Sequence, residues 1–337
     1  MTDLSSLLAL LRDLQRSIRD AVVDACERQS AAELAEVADD GPGDTIYQID
    51  KVSEALLLEQ LEPEAGRLGG VVLVAEGLPG GELVLPRGRS RPSAWRFIVD
   101  PIDGTRGIMY QKRSAWVLGA VAPNREEETR LGDIVVAAQT EIPTQKQHLA
   151  DELWAVRGRG ANLERLNTLT GRRVSLPLRP SRARDLRHGY AMLTRFFPGA
   201  RDELAAIDEE LMLELLGPTP EGKALCFEDQ YASTGGQLYE LAMGHDRFNA
   251  DLRPLMRELL RSRGQSAGLC CHPYDVCTAL IAEEAGVLLT DPWGGPLDAP
   301  LDVWADVAWV GYANSALRRQ IEPVLQALLA RRGLRRE

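Results

Sequence analysis

The sequence predicts an α/β (α+β) layered sandwich. Three observations carry that expectation: apolar residues recur at three- and four-residue steps towards both ends, short apolar runs between turn signals fill the middle, and no internal repeat or low-complexity segment interrupts them. A chain of 337 residues with 45% hydrophobic content is long enough for two units sharing a core, and its 5% aromatic content makes that core aliphatic. A soft boundary near 175–190 divides it into an α+β subdomain over 1–180 and an α/β subdomain over 181–337.

Leu4, Leu7, Leu8, Leu11, Leu14, Ile18, Ala21, Val22 and Ala25 fall on one stripe and predict the first helix. The cluster Asp39-Asp40-Gly41-Pro42-Gly43-Asp44 is a turn signal before which it ends. A second helix follows, with Asp50 near its start and Val52, Leu56, Leu57 and Leu61 along a face. Strands are expected at Val71–Val74, Phe97–Val99, Trp116–Leu118 and Ile134–Val136, and an exposed loop over Gly80–Pro92 carries Arg87, Arg89 and Arg91. Beyond Leu186, helical patterns alternate with strands at Val287–Leu289 and Val307–Val310. The last helix carries Leu317, Ile321, Val324, Leu325 and Leu328, and closes on Arg331, Arg332, Arg335 and Arg336, cations suited to the negative end of a helix dipole.

Lys and Arg number 39 against 50 Asp and Glu, so the formal charge is 39 − 50 = −11, which argues against holding a nucleic acid by charge. No apolar run reaches the length of about 18 residues that a membrane span needs. The opening Met1-Thr2-Asp3-Leu4 lacks the basic start and apolar stretch of a signal peptide, and five cysteines make no disulfide framework. The expectation is a soluble, cytoplasmic protein.

Chemistry concentrates at Asp100-Pro101-Ile102-Asp103-Gly104-Thr105, directly after the strand around Phe97–Val99. Two carboxylates three residues apart, on a turn stiffened by Pro101 and released by Gly104, can converge on one point, and Mg²⁺ takes such oxygen ligands together with substrate phosphate. Past Gly104, backbone N–H groups at a helix start would cradle a phosphate. The competing reading is an Asp-Pro turn with Asp103 as a cap. Glu76 stands at the end of the Val71–Ala75 run, where open-sheet sites form. Asp275, in His272-Pro273-Tyr274-Asp275-Val276-Cys277, could cap the helical pattern that follows it. Asp50 alone is one acid among many.

Taken in order, Asp50 with Ser53-Glu54, Glu76, Asp100–Thr105, and Tyr274-Asp275 followed by Glu284-Ala285-Gly286 resemble the signature set of the inositol monophosphatase family. Arg157-Gly158-Arg159-Gly160-Ala161 is similar to that family's Gly-x-Gly-Ala hairpin. The superfamily is Mg²⁺-dependent and lithium-sensitive, and also holds fructose-1,6-bisphosphatases and 3′-phosphoadenosine 5′-phosphate phosphatases. The resemblance implies alternating helix and sheet layers, with a site between two subdomains. It implies two or three Mg²⁺ ions. Glu76, Asp100 and the Ile102 carbonyl would hold one, and Asp100, Asp103 and Asp275 a second. Gly104 and Thr105 would offer backbone donors to phosphate. Thr105, linked to Asp50, would orient and deprotonate the attacking water, with Glu76 also counted as catalytic. Ser233, Thr234 and Gly235 match a small-residue stretch lining the substrate pocket, although Ser233 could equally cap the next helix. A small phosphorylated metabolite (inositol phosphate, sugar phosphate or nucleotide) is the implied partner, and a homodimer is plausible by resemblance alone.

The departures bear on substrate. The family's Gly-Glu-Glu is Ala75-Glu76-Gly77 here, and its Trp-Asp is Tyr274-Asp275. Its inositol phosphatases carry a hydroxyl-binding Glu seven positions before that Asp, where this chain has Gly268, preceded by an extra stretch over 252–269. That stretch brings Arg253, Arg257, Arg261 and Arg263, suggesting a positive rim that favours a bisphosphorylated substrate over inositol 1-phosphate. Arg106-Gly107-Ile108 is similar to the Lys-Gly-Phe of the phosphoadenosine phosphatases, which makes a 3′(2′),5′-bisphosphate nucleotidase the alternative activity. A catalytically silent member used in binding is the rival from another class. Four retained carboxylates argue against it, since such a cluster repels itself without metal. Cys270, Cys271, His272 and Cys277 invite a zinc site, but adjacent cysteines converge poorly and are read as buried thiols.

Overall fold

Val71–Ala75 is apolar and buried at every position because both faces of its sheet are covered. Val71, Leu73 and Ala75 pack with Leu7, Leu11, Leu57 and Leu61, from the helices Leu4–Arg28 and Gln48–Ala65. Val72 and Val74 face the other way, towards Leu238, Leu241, Leu280 and Ile281 of the helices Thr234–Met243 and Ala279–Ala285. Those two helices also pack on Leu289 and Trp309 of a second sheet. The far face of that sheet, with Leu193, Phe248 and Val310, is covered by Leu204 and Ile207 of the helix Arg201–Leu216 and by Leu317 and Ile321 of the helix Ser315–Arg331. The computed structural model describes residues 3–39 and 46–334, and in it helix and sheet layers alternate as the sequence leads one to expect.

The first sheet has eight strands, in the order Arg173–Leu176, Ala161–Asn167, Leu149–Val156, Val136–Ile142, Ala115–Pro123, Trp95–Asp103, Val71–Ala75 and Glu82–Leu85. The second has four, in the order Tyr190–Leu193, Asp246–Asp251, Trp309–Tyr312 and Leu288–Thr290. Each sheet contains a parallel pair within otherwise antiparallel pairing: Val71–Ala75 beside Trp95–Asp103, and Tyr190–Leu193 beside Asp246–Asp251. Those two pairs position the site.

Several boundaries differ from the sequence reading. The first helix stops at Arg28, and a capped turn of helix, Ala31–Leu34, and the strand Val37–Asp39 intervene before the turn cluster. Asp40-Gly41-Pro42-Gly43-Asp44, like Arg335 and Arg336, lies outside the described residues. Gly80–Pro92 is not all loop: Glu82–Leu85 pairs with Val71–Ala75 as an edge strand, whose half-exposed pattern hides it from an apolar-run search. The strand expected at Ile134–Val136 begins at Val136, because Leu131–Asp133 winds a 3₁₀ turn first. The strands expected at Val287–Leu289 and Val307–Val310 start one and two residues later, at Leu288 and Trp309. Among the described residues, no helix is long and apolar enough to cross a membrane.

Candidate active site

In a regular strand, residues three apart point to opposite faces. Asp100 and Asp103 avoid this because the ladder with Ala115–Pro123 shifts register between them, pairing Asp100 with Leu118 and Asp103 with Trp116. Three steps on one strand answer two on the other. This β-bulge, at Pro101-Ile102, turns both carboxylates to the same side. Pro101 suits the place, having no N–H to give a ladder. Glu76 arrives beside them because Ala75 is the parallel partner of Val99, so both acidic ends leave the same sheet edge.

Asp275 joins from the second half of the chain. It does not cap the helix Ala279–Ala285, whose N-cap is Thr278. Its carboxylate accepts the His272 N–H at 2.6 Å. Ligand atoms of Asp100, Asp103 and Asp275 lie within 4.8 Å of one another. Glu76, Asp100, Asp103 and Asp275 all line one open cleft. Burial raises the proton affinity of the three aspartates, with crowding adding to it at Asp100 and Asp275. Burial, then Asp103, Asp275 and Glu76, holds the Asp100 carboxyl well above its ordinary range. Burial, then Asp103, does the same to Asp275. Asp103 is pushed up to about 6 by burial, against hydrogen bonds that favour its ionised form. Those bonds come from Ser233 Oγ at 2.8 Å and from the N–H groups of Thr234 and Gly235 at 3.3 and 2.6 Å. Buried, mutually repelling hard oxygen ligands form a donor set that fits Mg²⁺ and suits neither zinc thiolate nor purely structural packing.

Gly104 stands at φ +95, a left-handed conformation that favours glycine, and a Cβ there would make a tight 3.2 Å contact with Ser233 Cβ. It opens the short helix Thr105–Met109. Thr105 Oγ1 lies 3.1 Å from Asp50 Oδ1 and 2.8 Å from the Ile102 carbonyl. Asp50 takes the Tyr47 N–H on its other oxygen at 2.8 Å, which ties the start of its helix to Thr105. Asp50 does not itself line the cleft, whereas Ile102, Gly104 and Thr105 do.

Ser233 and Thr234 line the cleft as well. Ser233 also caps the helix Thr234–Met243, its Oγ accepting the Gly236 N–H at 2.8 Å, so one side chain serves both expectations. Gly235 is not a lining residue but a support for Asp103. Glu284 lies away from the cleft and latches the hairpin, accepting N–H bonds from Gly158 and Gly160 at 2.7 Å each. Cys270, Cys271 and Cys277 are buried free thiols whose pKa burial raises, Cys270 to about 11.

The positive rim is narrower than the sequence suggests. Arg257, Arg261 and Arg263 pair with Asp306, Glu258 and Asp202, and only Arg253 of the four lines the cleft. Gly268 is not a lining residue either, and a Cβ there would meet the Pro198 carbonyl at 2.9 Å. Phe196 and Phe197 were invisible to motif reasoning, yet both line the cleft. The available signal was two of the chain's five phenylalanines placed side by side before Pro198-Gly199.

A family model described as the inositol monophosphatase family matches residues 3–195. Among solved structures, the extragenic suppressor protein SuhB of Bartonella henselae aligns with a TM-score of 0.64 at 19% identity, covering 95% of this chain and 98% of that one. An inositol monophosphatase from Anabaena (Nostoc) sp. gives 0.59 at 17% identity, covering 98% and 97%. Fructose-1,6-bisphosphatase of Leishmania major gives 0.67 at 14% identity, covering 96% and 93%. No match was found among curated proteins.

Proposed function

Because this chain belongs to the inositol monophosphatase family, a family of metal-dependent phosphatases, we propose that it is a Mg²⁺-dependent phosphomonoesterase acting on a small phosphorylated metabolite. The observation that carries the reading is the convergence of Asp100, Asp103 and Asp275 within 4.8 Å, beside the Thr105–Asp50 pair. In this reading, residues 1–180 bring the phosphate motif and 181–337 complete the site with Asp275.

Glu76, Asp100 and the Ile102 carbonyl would hold one ion, and Asp100, Asp103 and Asp275 a second. The chemistry supplied by bound Mg²⁺ is a more acidic water and neutralised phosphoryl charge. The protein's own part is positional. The N–H groups of Gly104 and Thr105 hold the phosphoryl oxygens where Gly104 brings the backbone close. A threonine hydroxyl has one proton, so when Thr105 Oγ1 gives it to Asp50 Oδ1, its lone pairs face an incoming water. The water's proton passes to Thr105 Oγ1 as the threonine proton moves on to Asp50 Oδ1, the water oxygen bonds phosphorus as the ester phosphorus–oxygen bond breaks, and the leaving alkoxide takes a proton from solvent. No covalent intermediate is needed.

The finer substrate is an inositol phosphate, a sugar phosphate or a nucleotide. Arg106 beside the aromatic pair favours a 3′(2′),5′-bisphosphate nucleotidase as the second reading, its guanidinium lying 5.0 Å from the Phe197 ring. Release of inorganic phosphate from a panel of sugar phosphates and nucleotides, with Mg²⁺ and with chelator, tests the proposal. Silence across the panel with Mg²⁺ would leave the binding-only reading standing instead.

A further inference from the structure

One wall of the cleft beyond the acids includes Phe196, Phe197, Arg253, Leu269 and Cys270, and Arg106 is the other cation that lines the cleft. That wall offers no carboxylate, since the acids lining the cleft are Glu76, Asp100, Asp103 and Asp275. An acid is nevertheless present just behind it. Asp251, the last residue of the strand Asp246–Asp251, is 1% exposed and is covered by Arg253. Arg253 Nε lies 2.9 and 3.1 Å from the two Asp251 oxygens, and Nη2 lies 2.5 Å from Oδ2. Nη1 donates to the Leu269 carbonyl at 3.0 Å, and the guanidinium sits 4.6 Å from the Phe196 ring.

These contacts hold the guanidinium rigidly and, among the described residues, use three of its five N–H groups, leaving two for a ligand. They also neutralise the acid and change what the wall offers a ligand. A bare Asp251 would accept hydroxyls, whereas the covered one presents only cationic donors. The placement follows from topology, because the parallel partners Leu193 and Ala250 bring Phe196 and Arg253 off the same sheet edge.

We infer that Arg253 is the specificity-determining residue of this cleft. Its guanidinium binds a second anionic group, phosphate or carboxylate, carried by the leaving-group side of the substrate, and Asp251 is the residue that positions it. The inference rests on the phosphatase reading above.

The test compares kcat and KM for fructose 1,6-bisphosphate, 3′-phosphoadenosine 5′-phosphate and inositol 1-phosphate at fixed Mg²⁺, in wild type, Arg253→Lys and the charge-neutral double variant Asp251→Asn/Arg253→Gln. Melting curves identify folded protein, and the double variant leaves no unpaired buried charge behind. Wild type should prefer a doubly anionic ester. The double variant should lose about ten- to a hundredfold of that preference in kcat/KM, chiefly through KM, with Arg253→Lys intermediate because it keeps charge but not the fork. An unchanged preference in either folded variant, or a wild-type preference for inositol 1-phosphate, would overturn the assignment while leaving the phosphatase reading intact. Failure of wild type to release phosphate from any of the three would overturn both.

Discussion

Gly235→Ala probes the support behind Asp103 without touching a charge. A Cβ at this position would lie 2.4 and 3.1 Å from the two δ-carbons of Leu118 and 2.9 Å from Asp103 Oδ2. Leu118 is fully buried and cannot swing into open space. The overlap must therefore be relieved by moving the first turn of the helix Thr234–Met243, whose Gly235 N–H reaches Asp103 at 2.6 Å. Overpacking of this kind costs about 1–3 kcal/mol, a sizeable share of a typical total of roughly 5–15 kcal/mol. Withdrawing the N–H from Asp103 also displaces a proposed metal ligand, and a shift of about 1 Å at a reacting centre costs on the order of 100-fold in rate. Thermal melting and a Mg²⁺ titration of phosphate release would read the two effects separately. The expected result is a lower Tm, a higher Mg²⁺ requirement and reduced kcat. Leu118→Val removes the δ-carbons that cause the worst overlap, so a double-mutant cycle should show coupling of about 1–3 kcal/mol. Wild-type Mg²⁺ dependence in Gly235→Ala, or simple additivity with Leu118→Val, would refute the argument.

Thr105→Ala should lower kcat by about 100-fold or more with little change in KM, because the backbone N–H proposed to hold phosphate survives; equal losses in both would remove the hydroxyl from the chemistry. Asp100→Asn should abolish Mg²⁺-dependent turnover yet raise Tm in chelator, since it relieves burial and like-charge repulsion while its Oδ1 can still accept the Ile102 N–H at 3.0 Å; a lower Tm in chelator would contradict the repulsion argument. Asp246, 9% exposed and pushed up to about 6 chiefly by burial, binds its proton more tightly folded than unfolded. Its contribution to stability is therefore present below the unfolded value of 3.8 and is lost as pH rises through about 6, a difference on the order of 3 kcal/mol. Asp246→Asn should flatten that part of the curve and gain most over wild type above pH ~7, measured by denaturant melts across pH; parallel curves would count against it.

Local rules reach the elements whose own side chains announce them. The stripe from Leu4 to Ala25 reads as a helix because its spacing matches the helical turn, and Val71–Ala75 reads as a covered strand because every position is apolar. Asp100-Pro101-Ile102-Asp103-Gly104-Thr105 stands out in one dimension because a bulge, a left-handed glycine and a hydroxyl must occur consecutively along the chain. The edge strand Glu82–Leu85 escapes such reading, since half of it faces solvent and its pairing is defined only by Val71–Ala75. The far wall of the cleft escapes for a stronger reason. Phe196 and Arg253 are 57 positions apart in sequence (253 − 196), and although Asp251 stands two residues before Arg253, no local pattern says that this pair meets the cleft. The parallel pairing of Tyr190–Leu193 with Asp246–Asp251 brings Phe196 and Arg253 to one edge, and the Asp251 carboxylate turns that one arginine inward while its neighbours find surface acids. Composition supplies charges, but which of them faces a ligand depends on where its element leaves the sheet, and that is decided by the pairing of strands distant in sequence.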